Sequence, residues 1–130
     1  MTKKESPKTI LLVDDDPGFR EILSTKLKVA GFAVEAVANG EAGIEKAQEI
    51  KPSLILLDMQ MPKMSGADTL LKLKETKETK DINVVFLTSY GDEKMLEQEK
   101  MLYNQMGALD YLKKTDDLDV LISKVKSYLS

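Results

Sequence analysis

The sequence predicts an α/β fold: a parallel sheet with helices on both of its faces. Two observations carry this. Five short apolar runs alternate with longer stretches whose apolar residues recur at helical spacing. The central run, Leu54 to Leu57, is apolar at consecutive positions, as in strands buried on both sides. At 130 residues, with no internal repeat and no linker after residue 8, the chain fits one domain with its own core.

The strands are read in order as TILLV (9–13), FAVEAV (32–37), SLILLD (53–58), NVVFLT (83–88) and DYLKK (110–114). Residues 1–8, MTKKESPK, are polar and read as a flexible tail ahead of a domain over 9–130. The first helix, 17–30, starts behind Asp16 as its cap, with Pro17 at the first helical position. It places Phe19, Ile22, Leu23, Leu27 and Ala30 on one face and stops at Gly31. The second, 40–50, is richer in Ala and ends before Pro52. The third, 67–77, carries Leu70, Leu71 and Leu73, and the fourth, 92–106, carries Met95, Leu96, Leu102, Tyr103 and Met106. The fifth, 117–129, lines up Leu118, Leu121, Ile122, Val125 and Leu129.

Composition narrows the function. With 19 Lys and Arg against 22 Asp and Glu, the net charge of −3 gives no electrostatic reason to expect nucleic acid or a membrane surface as partner. No apolar run is long enough to span a membrane, and the N-terminus lacks the apolar region of a secretory signal. Cysteine and histidine are both absent. That excludes disulfides, thiolate or imidazole metal sites, and Ser-His-Asp or Cys-His catalysis. Chemistry falls to carboxylates, lysines, hydroxyls, the backbone and a hard cation.

In open parallel sheets, sites form just beyond the carboxyl ends of the strands. The first strand ends in Asp14, Asp15 and Asp16; the third in Asp58; the fourth in Thr88 and Ser89; the fifth in Lys113 and Lys114. The second, ending in Ala38 and Asn39, offers less. Carboxylates gathered at one edge repel one another unless a cation sits among them. With oxygen ligands only, Mg²⁺ is the natural candidate. Asp58 beside a cation can act as a nucleophile toward a phosphoryl group. The cation, Lys114 and the Thr88 hydroxyl would hold the phosphoryl oxygens. Taken singly, each residue has an ordinary role: Asp16 a helix cap, Asp14 and Asp15 solvated loop acids, Thr88-Ser89 a strand-end pair, the lysines solvated. Their convergence at four strand ends favours the functional reading.

The elements ILLVDDDP (10–17), LLDMQMPKMSG (56–66), VVFLTS (84–89) and GALDYLKK (107–114) resemble the receiver domain of two-component response regulators, from Lys8 to Leu129. The resemblance implies a doubly wound, flavodoxin-like sheet of order 2-1-3-4-5. It implies that Asp58 accepts a phosphoryl group from a phosphohistidine on a sensor histidine kinase or histidine phosphotransfer protein. Asp15, Asp58 and the backbone carbonyl of Gln60 would bind Mg²⁺ directly, and Asp14 mainly through water. Thr88 and Lys114 would contact the phosphoryl oxygens. Tyr111 would be the aromatic that moves inward with Thr88, altering the surface of helix 4, strand 5 and helix 5. Pro62 and Gly66 would shape the loop after Asp58. Such a domain is a signalling switch rather than an enzyme in the usual sense. It catalyses its own phosphorylation and dephosphorylation, and passes the signal to a downstream protein as a monomer or a phosphorylation-dependent dimer. Its expected location is cytoplasmic, and it reads as stand-alone or as one part of a longer chain.

Three positions depart from the family pattern. Thr115 follows Lys114 where a cis proline is usual. A cis bond before a non-proline costs about 2.5–4 kcal/mol, so a trans bond and a remodelled loop are expected, with Lys113 an adjacent substitute for Lys114. The segment over 89–106 is about four residues longer than usual, roughly one helical turn, on the expected output surface. Gln60 and Tyr90 occupy positions that tune loss of the phosphoryl group, and the bulk of Tyr90 predicts slow dephosphorylation.

Three other readings use similar parts. A haloacid-dehalogenase-like phosphatase would need an acid two residues after its nucleophile, where Gln60 stands. A pseudo-receiver, never phosphorylated, is opposed by the intact acidic, hydroxyl and lysine set but kept open by Thr115. A flavin-binding flavodoxin is opposed by its acidic first turn, which would repel a phosphate.

Overall fold

A computed structural model describes the backbone of residues 7–89 and 93–130, and the side chains of 7–89 and 97–130. The strands are β1 (Thr9–Val13), β2 (Ala33–Val37), β3 (Leu54–Asp58), β4 (Val84–Thr88) and β5 (Asp110–Lys113). The helices are α1 (Pro17–Val29), α2 (Gly40–Ile50), α3 (Gly66–Glu75), α4 (Glu93–Met106) and α5 (Leu118–Leu129). The strands are parallel in the order β2-β1-β3-β4-β5, the order the resemblance implied.

Alternation along the strands splits the core in two. Ile10, Leu12, Leu54, Leu56, Val85, Leu87 and Leu112 face α1 and α5, where Leu23, Leu27, Leu121, Ile122 and Val125 close the layer. Leu11, Val13, Ile55, Leu57, Val84 and Phe86 face the other helices, meeting Ala47, Leu70, Leu73 and Tyr103. Burying each such aliphatic side chain contributes about 1.5–3 kcal/mol before the entropy of ordering is set against it. The β2 edge strand leaves Glu35 and Ala36 exposed.

Three residues assigned to buried faces lie outside them. Ile22 is 53% exposed, Leu71 47% and Leu102 53%. Each neighbours a buried residue (Leu23, Leu70, Tyr103), and one step along a helix turns a side chain about 100° away from the line that meets the sheet. Met95, Leu96 and Tyr90 lie outside the residues whose side chains are described, as do residues 1–6 of the expected tail.

The helix ends follow their chemistry. Asp16 caps α1 by accepting from the Gly18 N–H at 3.0 Å, and Asn39 caps α2 by accepting from the Ala42 N–H at 2.8 Å. Beyond α1, Gly31 takes φ of 105°, a backbone shape that glycine tolerates. Helix α3 stops at Glu75, short of the expected 77, because the chain turns on side-chain bonds there. The Thr79 hydroxyl donates to the Leu73 carbonyl at 2.6 Å, and the Lys74 ammonium donates to the Lys80 and Ile82 carbonyls at 3.0 and 3.1 Å. Among the described residues no peptide bond is cis, so Lys114–Thr115 is trans, as expected.

Candidate functional site

Strand parity aims the site. Asp14 continues the alternation of Ile10 and Leu12, Asp58 that of Leu54 and Leu56, and Lys114 that of Leu112. All three therefore sit on the α1 and α5 side, at the carboxyl edge of β1, β3 and β5. The same rule sends Lys113 to the opposite face, which favours Lys114 over its neighbour.

Asp14 is 0% exposed and Asp58 3%, and Asp15 lies outward beside them. One carboxylate oxygen from each of Asp14, Asp15 and Asp58 lies within 4.8 Å of the other two. Lys114 Nζ stands 2.7 Å from Asp14 Oδ2 and 3.3 Å from Asp58 Oδ2. Its backbone N–H donates to the Thr88 carbonyl at 2.7 Å, which ties the end of β5 to the end of β4. The backbone holds the acids too. The Asp16 N–H donates to Asp14 Oδ1 at 2.9 Å, and the Gln60 N–H donates to Asp58 Oδ1 at 3.3 Å.

The electrostatics follow from this crowding. Burial, the hydrogen bond with Asp15 and the charge of Asp14 push the Asp58 pKa up to about 7, against the opposing pull of Lys114 and the Gln60 N–H. Burial works against the Lys114 ammonium, yet the bonds and charges of Asp14 and Asp58 hold its pKa above the ordinary lysine value. Three convergent carboxylates, one of them resisting ionisation, fit a hard divalent cation, and the all-oxygen donor set excludes a soft one.

Gly66 closes the loop after Asp58. Its N–H donates to the Met59 carbonyl at 3.0 Å, and a Cβ there would collide with the Asp58 carbonyl oxygen and stand 2.8 Å from Met59 Cα. Only glycine allows this approach. Lys63, inside the same loop, takes φ of 71°, in the left-handed region.

Thr88 is buried at the end of β4 and shares the parity of Val84 and Phe86. Tyr111 pairs with Phe86 in register, is half-buried, and packs on the same layer. The two residues of the expected switch thus share the face opposite Asp58. Lys100 Nζ lies 5.6 Å from the centre of the Tyr111 ring.

Sequence reasoning missed several contacts. Phe19, assigned only to the core face of α1, presents its ring 4.9 Å from Lys114 Nζ. Arg20 donates to the Asp14 carbonyl at 2.7 Å. Both stand in the first turn behind Asp16, and a helix starting at a strand end brings that turn over the site, so the signal was present. Asp110 accepts from the Tyr128 hydroxyl at 2.6 Å and stands 3.6 Å from Lys100 Nζ. That tie among α4, β5 and α5 has no sequence signature.

The sequence model of the response regulator receiver domain matches residues 10–126. The chain is 34% identical over 120 residues to the DNA-binding dual master transcriptional regulator RpaA of Synechocystis, covering 92% of this chain and 48% of that protein. It is also 34% identical over 120 residues to sporulation initiation phosphotransferase F of Bacillus subtilis, covering 92% of each. The chain thus spans about half the length of some curated relatives and nearly all of another. A response regulator receiver domain protein from Methanospirillum hungatei superposes with a TM-score of 0.82 at 28% identity, over 95% of this chain and 94% of that one. The parallel sheet, the acidic pocket at its carboxyl edge and these likenesses agree: the chain belongs to the family of response regulator receiver domains.

Proposed function

We propose that this chain is a phosphorylation-driven switch whose acceptor is Asp58. One observation carries the reading: the Lys114 ammonium spans Asp14 and Asp58 where three carboxylates converge. In the proposed reaction an Asp58 carboxylate oxygen attacks the phosphorus of a phosphohistidine. The P–N bond breaks, and the imidazole leaves with the electron pair and takes up a proton. Lys114 would meet the charge on the phosphoryl oxygens, joined by the Thr88 hydroxyl once Thr88 turns from the face it shares with Tyr111 toward Asp58. Asp15, Asp58 and the Gln60 carbonyl would hold Mg²⁺, with Asp14 supporting them through water. Bound there, the cation would offset the charge of the acids and of the incoming phosphoryl group, and would leave Asp58 ionised and nucleophilic.

The proposed readout is a joint shift of Thr88 and Tyr111, which share one face of the sheet and carry the change to α4, β5 and α5. The proposed partners are proteins: a sensor histidine kinase or histidine phosphotransfer protein upstream and a protein target downstream, with monomer–dimer exchange on phosphorylation. The DNA binding in one relative's name belongs to a protein about twice as long as the matched stretch, and the proposal includes neither nucleic acid nor membrane. Among the described residues, no helix is long and apolar enough to cross a membrane. The proposed location, where such kinases present their phosphohistidine, is the cytoplasm.

The test is transfer from a labelled phosphohistidine protein. Label should move to the parent but not to Asp58→Asn, and should be lost in alkali, as an acyl phosphate is. Label on a hydroxyl residue, or equal label on the variant, contradicts the proposal.

A further inference from the structure

We infer that Phe19 is a positioning residue for Lys114, its ring face holding the ammonium over the acids where it meets the transferred phosphoryl group. The inference rests on the phosphoacceptor reading above and adds a residue to it.

The placement starts with the Asp16 cap, which fixes the first turn of α1 and sets Phe19 at its third position. The ring packs against the core layer that α1 and α5 close. Lys114 Nζ lies 4.9 Å from the ring centroid, within the range of about 6 Å over which a ring face attracts a cation. Among the described residues the ammonium meets three groups: Asp14 Oδ2 at 2.7 Å, Asp58 Oδ2 at 3.3 Å and this ring. The two carboxylates are also candidate cation ligands and, for Asp58, the acceptor itself. Of the three contacts, only the ring has no second charge to serve.

The lysine needs such support. Its stem is long and flexible, and each rotatable bond must be fixed for the ammonium to stay in place. Thr115 follows it in a trans bond, without the ring of a proline to stiffen the turn. The backbone bond from the Lys114 N–H to Thr88 fixes where the side chain starts, not where it ends. The ring of Phe19 acts at the far end.

The alternative is that Phe19 only fills space. Phe19→Leu removes the ring face and keeps an apolar side chain, whereas Phe19→Tyr keeps the face. Phe19→Met repeats the ring-free case if leucine unsettles α1. The full chain is phosphorylated with acetyl phosphate at saturating Mg²⁺, so that no partner surface enters the result. In parallel, NMR reads the ring-current displacement of the Lys114 side-chain protons. The parent and Phe19→Tyr should share both the displaced resonances and the rate. The ring-free variants should lose the displacement and phosphorylate roughly two- to fivefold more slowly, the range expected for a partly exposed cation–ring contact. A folded Phe19→Leu with the parent's rate overturns the positioning role and leaves Asp58 as acceptor untouched. A parent that takes no phosphoryl group overturns the acceptor reading, and the role of Phe19 with it.

Discussion

Lys114 Nζ stands 2.7 Å from Asp14 Oδ2, and the carboxylate it meets is fully buried while the lysine side chain is only 15% exposed. In the cation-free protein this ammonium is the counter-charge that lets Asp14 and Asp58 lie together. Removing one partner of a buried pair leaves the other uncompensated. Lys114→Ala should therefore lose about 2 kcal/mol of stability without divalent cation. Added Mg²⁺ should shrink that loss, because the cation supplies the missing positive charge. Urea unfolding with and without MgCl₂ measures both. A loss that Mg²⁺ does not change would show that the lysine is not the cation's substitute.

Asp58 gives the pocket a pH signature. Its folded pKa of about 7 lies above the ordinary value of 3.8. Between those two values the folded state holds a proton that the unfolded state has lost. The native state therefore gains stability from Asp58 at low pH and loses it as pH rises through about 7. Asp58→Asn has no such proton. In metal-free buffer its melting temperature should exceed the parent's at about pH 8, and the gap should close toward about pH 5. Parallel melting curves across that range would mean that Asp58 is not strained in the way its neighbours imply.

The Gly66 contact tests the loop after Asp58. A methyl group there must push against the Asp58 carbonyl and Met59 Cα, both backbone atoms that cannot swing aside. Gly66→Ala should cost about 2–3 kcal/mol, the penalty of overpacking a closed site. It should also weaken Mg²⁺ binding, because the displaced backbone carries Asp58 and the Gln60 carbonyl. Calorimetric titration with Mg²⁺ reads the second effect. Unchanged affinity in the folded variant would place the loop outside the cation site.

Much of this was legible from residue order. Continuous apolar strands predict the sheet, and the residues at their carboxyl ends place Asp14, Asp15, Asp58 and Lys114 at one edge. Asp16 as cap and Gly31 as stop were equally plain, since each is a local matter of backbone and side chain. What escaped depended on rotation or distance. Ile22, Leu71 and Leu102 are apolar, yet each stands one step off the buried line of its helix. Phe19 belongs to the core layer and to the site at once, and periodicity reports only the first role. The bond from Tyr128 to Asp110 joins residues 18 apart across two elements, and neither residue type announces it.

The central claim is that Asp58 accepts a phosphoryl group with the help of a divalent cation. Intact mass after incubation with acetyl phosphate, with and without Mg²⁺, tests it for the parent and Asp58→Asn. The expected result is a single phosphoryl adduct on the parent that requires Mg²⁺ and is absent from the variant. A parent without an adduct, or an adduct that persists in Asp58→Asn, would contradict the claim.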